Sequence, residues 1–444
     1  MCPIVWKTVG RAIHMDKIKT KFRNILKVLG PGFITGAADD DPSGIATYSQ
    51  TGAQFGYGQL WTALCMLPLM IAVQEACARI GAVTGKGIAG VVKEHYGRKL
   101  LVSVVLLVAI ANTINIGADI GAMAAAANLI IPIPFVILTL LFTVFMLVLE
   151  IFTSYKAYSK ILKWLGLSLL AYPITALIAN HAWLATLQAT IIPHIEFNVG
   201  FLFLITGVLG TTISPYMFFW QASEEVEEEI KEGRVAQSGG VPRISKPFIR
   251  RLRVDTFAGM LASEIATWFI IVVGAATLHA HGITNILSAA DAAKALEPLV
   301  HGFPYAGFLA KTIFAVGIVG LGLLGVPVLA GSASYALSEA FEWKAGLNLK
   351  LKKAHGFYGI ITIATLVGLI INFVGINPFQ ALVFTAVFNG ITAVPLIFII
   401  ARISNNKKIM GEHKNGWLSN TVLTITFLIM ALAAIGMCYT FFRG

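Results

Sequence analysis

The chain has 444 residues, of which 57% are hydrophobic and only 12% charged, with a formal net charge of +11. Soluble domains carry about a quarter charged residues, so the composition excludes an ordinary soluble enzyme and points to a polytopic, all-α membrane protein. The basic balance would suit nucleic acid, but its placement along the chain follows membrane topology, and no nucleic-acid partner is expected.

Residues 1–27 form a basic N-terminal stretch (Lys7, Arg11, Lys17, Lys19, Lys21, Arg23, Lys27), read as cytoplasmic. No cleavable signal peptide is expected, because the first long apolar segment is itself a span. Eleven apolar segments follow, at roughly 28–52, 59–84, 100–128, 133–153, 160–180, 199–223, 252–278, 306–336, 356–374, 378–402 and 416–441. Each is near the ~20 apolar residues a span needs. No Lys, Arg, Asp or Glu lies between Asp41 and Glu75, Lys163 and Glu196, Glu264 and Asp291, or Asn415 and Phe442. With the N-terminus inside, all but four of the 33 Lys and Arg fall in cytoplasmic segments, the exceptions being Arg79, Lys294, Lys311 and Arg443. This is the positive-inside pattern. It places a multi-pass protein in the cell membrane with its C-terminus outside. The lipid bilayer is an implied partner; no obligatory protein partner is evident.

Two of the apolar segments are interrupted. The first carries Asp39-Asp40-Asp41-Pro42-Ser43-Gly44, and the sixth carries Thr211-Thr212-Ile213-Ser214-Pro215-Tyr216. Proline removes a backbone donor and breaks a helix. Irregular backbone at membrane depth is tolerated only where it is buried or lines a cavity. Breaks five spans apart suggest two inverted five-helix repeats, about 28–180 and 199–402, making a transport core over 28–402 with its site at their interface. Residues 403–444 then form a cytoplasmic loop and an added eleventh helix.

Asp41 is the leading candidate ligand, since an intramembrane carboxylate is costly and marks function. Pro42 should end the first half-helix there, leaving free carbonyls and a negative dipole end that favour a cation. Ser43, Gly44, Thr211, Thr212 and Ser214 complete an oxygen-donor set, with Thr47 and Ser49 one turn on; capping of the second half-helix by these small residues is the competing reading. Three consecutive acids cannot all face one point, so Asp39 and Asp40 are expected in a second shell or a hydrated vestibule. Asp119, Tyr216, Gln221 and Asn389 are intramembrane polar groups for a surrounding shell or an ion or proton pathway, or else hydrogen-bonded helix contacts. Oxygen-only surroundings suit magnesium, manganese or calcium, whereas thioether and thiolate select softer metals.

Other features read as structural. Glu75 and Arg79 form an i,i+4 pair and, with Glu150, sit where charges reach out to water. The run Glu224 to Glu229 is expected as a solvated helix end, with an acidic vestibule as the alternative. Small residues in the third span (Gly117, Gly121, Ala124 to Ala127) and the eighth (Gly317, Gly320, Gly322, Gly325) suit close helix packing. His279 and His281 are placed at an interface. Cys2, Cys65, Cys77 and Cys438 show no disulfide or metal spacing. No motif of an enzyme or a resident cofactor is present.

Gly30-Pro31-Gly32 through Asp41-Pro42-Ser43-Gly44, then Gln54-Phe55-Gly56-Tyr57, Ala78-Arg79-Ile80-Gly81 and Thr84-Gly85-Lys86, resemble the opening of the Nramp metal-transporter family. The break in the sixth span and Pro395 through Gly411 are also similar to that family. The resemblance implies the LeuT-type fold and divalent metal transport. It also implies departures. Where the family usually shows DPGN, the asparagine position is Gly44. Where it shows MPH, the methionine position is Ser214 and the histidine position is Tyr216. The family's acidic pair in the third span is represented at most by Asp119, and the ninth span carries no Arg. The chain thus resembles the divergent, magnesium-transporting branch, with Mg2+ or Mn2+ uptake not strongly coupled to protons. The alternatives are a proton-coupled Mn2+/Fe2+ transporter of the usual type, and a cation-coupled amino-acid or organic-solute carrier. Three aspartates beside the site would repel an anionic solute.

The topology is testable. In intact cells a protease site appended after residue 444 should be cut from outside, and one placed before Met1 should be protected; the reverse pattern would invert the assignment.

Overall fold

The computed structural model describes residues 30–153, 166–236, 240 and 242–443. The basic stretch 1–27, Lys156 to Lys163 and most of the Gln237 to Gly240 link lie outside the described residues. Among those described, every regular element is a helix. The membrane helices in chain order are α1 (Pro31–Asp39), α2 (Pro42–Phe55), α3 (Trp61–Thr84), α4 (Ile88–His95), α5 (Arg98–Asn128), α6 (Phe135–Phe152), α7 (Ala171–Ala179), α8 (Trp183–Ile191), α9 (Val199–Thr212), α10 (Pro215–Lys231) and α11 (Lys246–Val273). They continue with α12 (Ala289–Lys294), α13 (Ala306–Phe341), α14 (His355–Ile371), α15 (Pro378–Asn405), α16 (Lys407–Met410) and α17 (Trp417–Arg443). Of these, α4, α8, α12 and α16 are short connecting helices that the apolar pattern does not announce.

Among the described residues, 8 helices are long and apolar enough to cross a membrane, with Ser168–Ala179 and His355–Ile371 as shorter apolar helices. Eleven spans are therefore not established by length alone. The first expected span is split into α1 and α2, and part of the fifth lies outside the described residues. Lipid-facing surfaces are apolar: Leu141, Val144 and Phe145 on α6 and Leu428, Leu432 and Ile435 on α17 are exposed.

The helices form two groups around the breaks. In one, α1 and α3 pack against α10 and α11, and α2 against α11. In the other, α5 packs against α6, α13, α14 and α15, while α15 in turn carries α9 and α17. Small residues set the contact distances. A Cβ on Gly36 of α1 would lie 2.3 Å from the Gly259 backbone of α11, and one on Gly210 of α9 would lie 2.2 Å from the Gly390 nitrogen of α15. Gly117 meets Gly368 of α14, and Gly322 accommodates Met123 of α5. Gly121 likewise sits against Asn372, with 2.0 Å to its Oδ1 from a Cβ built there.

Two expectations about charges change. Arg79 is fully buried rather than reaching water. It makes a two-point contact with Glu75, at 3.0 and 2.9 Å, and also donates to the His413 carbonyl and to Asn415. Arg253 adds a bond to Glu75 at 2.9 Å. The triad pins α3 and α11 to the loop before α17. Glu150 is buried as well. The acidic run after the second break is folded in rather than solvated: Glu225 and Glu229 are buried, and Glu227 accepts from Tyr335 and from the Leu347 amide at 2.7 Å. The reason is that α10 continues as one helix to Lys231, packed against α3 and α13. Just beyond it, partial burial pushes the Glu232 carboxyl up, but the guanidinium groups of Arg234 and Arg251 outweigh this and hold it below its ordinary value.

The packing predicts that Gly36→Val forces α1 off α11, since the new carbons meet backbone rather than a movable side chain. Overpacking costs about 1–3 kcal/mol or more, so the purified variant should unfold at lower temperature than the wild type; an unchanged melting temperature would contradict the close approach.

Candidate functional site: two broken helices and their buried carboxylates

Both breaks are built alike. α1 ends at Asp39, Asp40 follows as its cap, and Asp41 caps α2, whose first residue is Pro42. α9 ends at Thr212, and Ser214 caps α10, whose first residue is Pro215. A proline at the first helical position has no amide to leave unsatisfied. Each second half-helix can therefore restart inside the protein at low cost.

The stop falls two residues earlier than the sequence suggests. Asp41 belongs to the start of α2, where the dipole is positive, rather than to the negative end of α1. Its Oδ1 accepts from the Ser43 hydroxyl at 2.6 Å and the Gly44 amide at 2.9 Å. Its Oδ2 accepts from Asn115 Nδ2 of α5 at 3.1 Å. Gly44 thus contributes its amide, and Ser43 its hydroxyl, to the carboxylate. A Cβ at Gly325 of α13 would lie 3.0 Å from Asp41 Cβ and 3.8 Å from Asp119 Oδ2, so the two carboxylates flank one bare backbone. Asp119 is wholly buried and neither oxygen has a hydrogen-bond partner among the described residues. It is not a hydrogen-bonded helix contact.

The second break faces the first. The hydroxyls of Thr211 and Ser43 stand 3.4 Å apart. Tyr48 of α2 donates to Thr212 Oγ1 at 2.8 Å, and Tyr216 of α10 donates to the Ala38 carbonyl of α1 at 3.0 Å. Each second half-helix thus reaches across to the end of the opposite first half-helix. The Ser214 hydroxyl is spent on the carbonyls of Gly210 and Thr211, at 2.6 and 2.7 Å. The Thr211 carbonyl, expected to be free, thus accepts one hydrogen bond. Thr47 likewise donates back to the Ser43 carbonyl at 2.7 Å.

Gln221 lies further along α10, accepting from Thr35 at 2.6 Å and donating to Glu225 at 2.9 Å. It ties α1 to α10 and is not beside Asp41. Asn389 of α15 is buried with its amide nitrogen unpartnered among the described residues. The rings of His279 and His281 each turn Nδ1 to a backbone carbonyl, of Ala53 and Thr277. Cys65, Cys77 and Cys438 are unpaired.

The sequence reading missed Asn115. Its signal was present: Asn112, Asn115 and Asp119 recur at helical spacing on one face of α5. Asn112 Oδ1 and Asn115 Oδ1 are buried without partners among the described residues, as are both oxygens of Asp119. The face therefore offers four unpartnered acceptor oxygens, which suits a cation. It also missed Glu264 and Ser263 of α11, described further below. Among the described residues no three His, Cys, Asp or Glu side chains stand close enough to hold one metal ion directly. An ion at the breaks would rely on one or two carboxylates, neutral oxygens and its own water.

Two interlocked broken helices inside an all-helical, multi-pass membrane protein define the LeuT class of transporter folds. The chain matches the family described as Natural resistance-associated macrophage protein-like (Nramp) over residues 32–440, and it belongs to that family. It is 25% identical to the divalent metal cation transporter MntH of Agrobacterium fabrum over 437 residues, covering 96% of this chain and 89% of that one. It is 24% identical to MntH of Brucella suis over 445 residues, covering 98% and 93%. In fold it is similar to the manganese transporter of Eremococcus coleocola, with a TM-score of 0.75 at 16% identity over 94% of this chain and 87% of that one. MhsT in complex with L-phenylalanine shares the fold more distantly, with a TM-score of 0.59 at 15% identity over 91% and 98%.

The cap separates structure from binding at Asp41. Asparagine caps about as well as aspartate, whereas alanine costs about 1 kcal/mol. Asp41→Asn should therefore keep near-wild-type thermal stability and Asp41→Ala should lose about that amount; equal losses in the two variants would show that the charge, not the cap, sustains the break.

Proposed function

We propose that this protein carries divalent cations across the membrane by alternating access, with magnesium its main substrate, and that uptake is not strongly coupled to protons. Asp41 is the charged ligand. Ser43, Thr211, Asn115 and Asp119 hold the ion or its water, with Thr212 and Tyr216 bracing the breaks, Gly44 completing the Asp41 cap and Ser214 closing the end of α9.

The observation that carries this reading is that both breaks present only oxygen. Thr211, Thr212, Ser214 and Tyr216 occupy the second break, and the first holds carboxylates and a hydroxyl. No methionine or cysteine lies within Asp39–Gly44 or Thr211–Tyr216. Hard oxygen donors favour magnesium or manganese over softer ions. Magnesium keeps several waters and is commonly bound through one or two carboxylates, which agrees with the lack of a three-carboxylate cluster among the described residues. An inside-negative potential of roughly 100 mV favours entry of a divalent ion by about 4.6 kcal/mol, at about 2.3 per charge. That suffices for uptake without protons. The curated relatives are named divalent metal cation transporters and the structural relative a manganese transporter; manganese is accordingly the second substrate to examine. An amino-acid carrier fits less well, because Asp39, Asp40 and Asp41 together repel a carboxylate. Cytoplasmic placement of the N-terminus and external placement of the C-terminus complete the reading.

The test is magnesium and manganese uptake into proteoliposomes carrying an internal ion indicator and a pH dye. Magnesium entry without acidification, reduced at least about tenfold in Asp41→Asn, is expected, since a lost charged ligand costs 1.4 kcal/mol or more. Manganese entry with acidification and no magnesium flux would overturn both the ion and the coupling assignment.

A further inference from the structure

Asp39 and Asp41 are neighbours in sequence but face different helices. Asp41 is held by Asn115 of α5 and lies against Gly325 of α13. Asp39 Oδ2 instead accepts from the Ser263 hydroxyl of α11. Asp40 follows Asp39 directly, as the cap at the end of α1. The next residue, Glu264, is within electrostatic range of Asp40 and Asp39. The Tyr48 hydroxyl feels all three carboxylates.

All three are buried, at 0%, 2% and 4% exposure for Asp39, Asp40 and Glu264. Both oxygens of Glu264 and one oxygen each of Asp39 and Asp40 have no hydrogen-bond partner among the described residues. None of the three is in an ion pair among the described residues; the ten pairs involve other acids. On α11 the nearest base towards its start is Arg253, eleven residues from Glu264, which is about 16 Å along a helix. The end of α1 adds further acceptors, because the last carbonyls of a helix lack intrahelical donors. Unpaired charge in a low-dielectric interior is strongly unfavourable, and intramembrane carboxylates mark ion paths.

We infer that Asp39, Asp40, Glu264 and Ser263 form a second cation site, separate from Asp41, that takes a hydrated magnesium-class divalent ion between α1 and α11. The three carboxylates are not arranged as direct ligands of one metal. The ion is therefore held through its own water, which donates to the orphaned oxygens. The site lies on the α1 side of the break, so an ion leaving Asp41 along α1 meets it next. Only the identity of the ion rests on the reading of the chain as a hard-cation carrier; the site itself rests on the orphaned acceptors.

The test is equilibrium binding of Mn2+ to the purified full-length protein, followed by loss of the free-ion electron paramagnetic resonance signal, with Mg2+ as competitor. The wild type should bind two ions per chain, both displaced by Mg2+. Glu264→Gln should weaken one of them at least about tenfold and leave the Asp41-dependent ion in place; Asp41→Asn should do the converse. Ser263→Ala, a smaller change, should loosen the same ion as Glu264→Gln and so stands in if that variant does not fold. One ion per chain, lost in Asp41→Asn and unaffected by Glu264→Gln and Ser263→Ala, would overturn the second site while leaving the carrier reading intact. An ion sensitive to Glu264→Gln but not to Asp41→Asn would support the second site and remove Asp41 as the main ligand.

Discussion

The constraint on which this structure depends is the obligation to satisfy backbone polar groups where no water is available. A helix that stops inside a membrane protein strands carbonyls at one end and amides at the other. Here the stranded groups are dealt with locally and reciprocally. The Asp41 side chain caps α2, and Pro42 and Pro215 remove an amide at each restart. Ser214 covers two carbonyls of α9, Tyr216 covers one of α1, and Tyr48 reaches the end of α9. The two breaks are thus one unit. Neither could shift far without exposing groups that the other satisfies.

That unit concentrates negative charge without basic partners. Arginines are available to the fold, yet they are used elsewhere: Arg79 and Arg253 are spent on Glu75. Around the breaks the neighbours of the carboxylates are hydroxyls, amides and tyrosines. A carboxylate with a guanidinium partner would gain little from a passing cation. One surrounded by neutral donors and orphaned acceptors keeps its attraction for an ion, and α5 extends that acceptor face through Asn112, Asn115 and Asp119. Backbone approach at Gly325 leaves room between Asp41 and Asp119. A side chain there would press on Asp41 and approach Asp119.

Much of this was legible in the chain. Long charge-free intervals announce membrane helices, and a proline beside an aspartate in such an interval announces a broken helix, because both features are costly unless used. The placement of Lys and Arg gives an expected orientation, and the DPSG and SPY runs carry the family likeness together with its departures. Glycine spacing foretold close packing, as at Gly117 and Gly322, since only small residues let helix backbones approach.

The direction in which each polar side chain points was decided by tertiary structure. Sequence could not tell that α1 ends at Asp39, so that Asp41 caps the following helix instead of closing the preceding one. It could not tell that Ser214 turns back to its own helix, or that Gln221 serves Thr35. Nor could it tell that Glu225 and Glu229 fold inward, or that Glu264, half a chain away from Asp40, arrives near it. Composition and periodicity report which residues avoid water, and that is a property of the residue. Which donor meets which acceptor depends on how helices distant in sequence cross, and only the packed structure supplies that crossing.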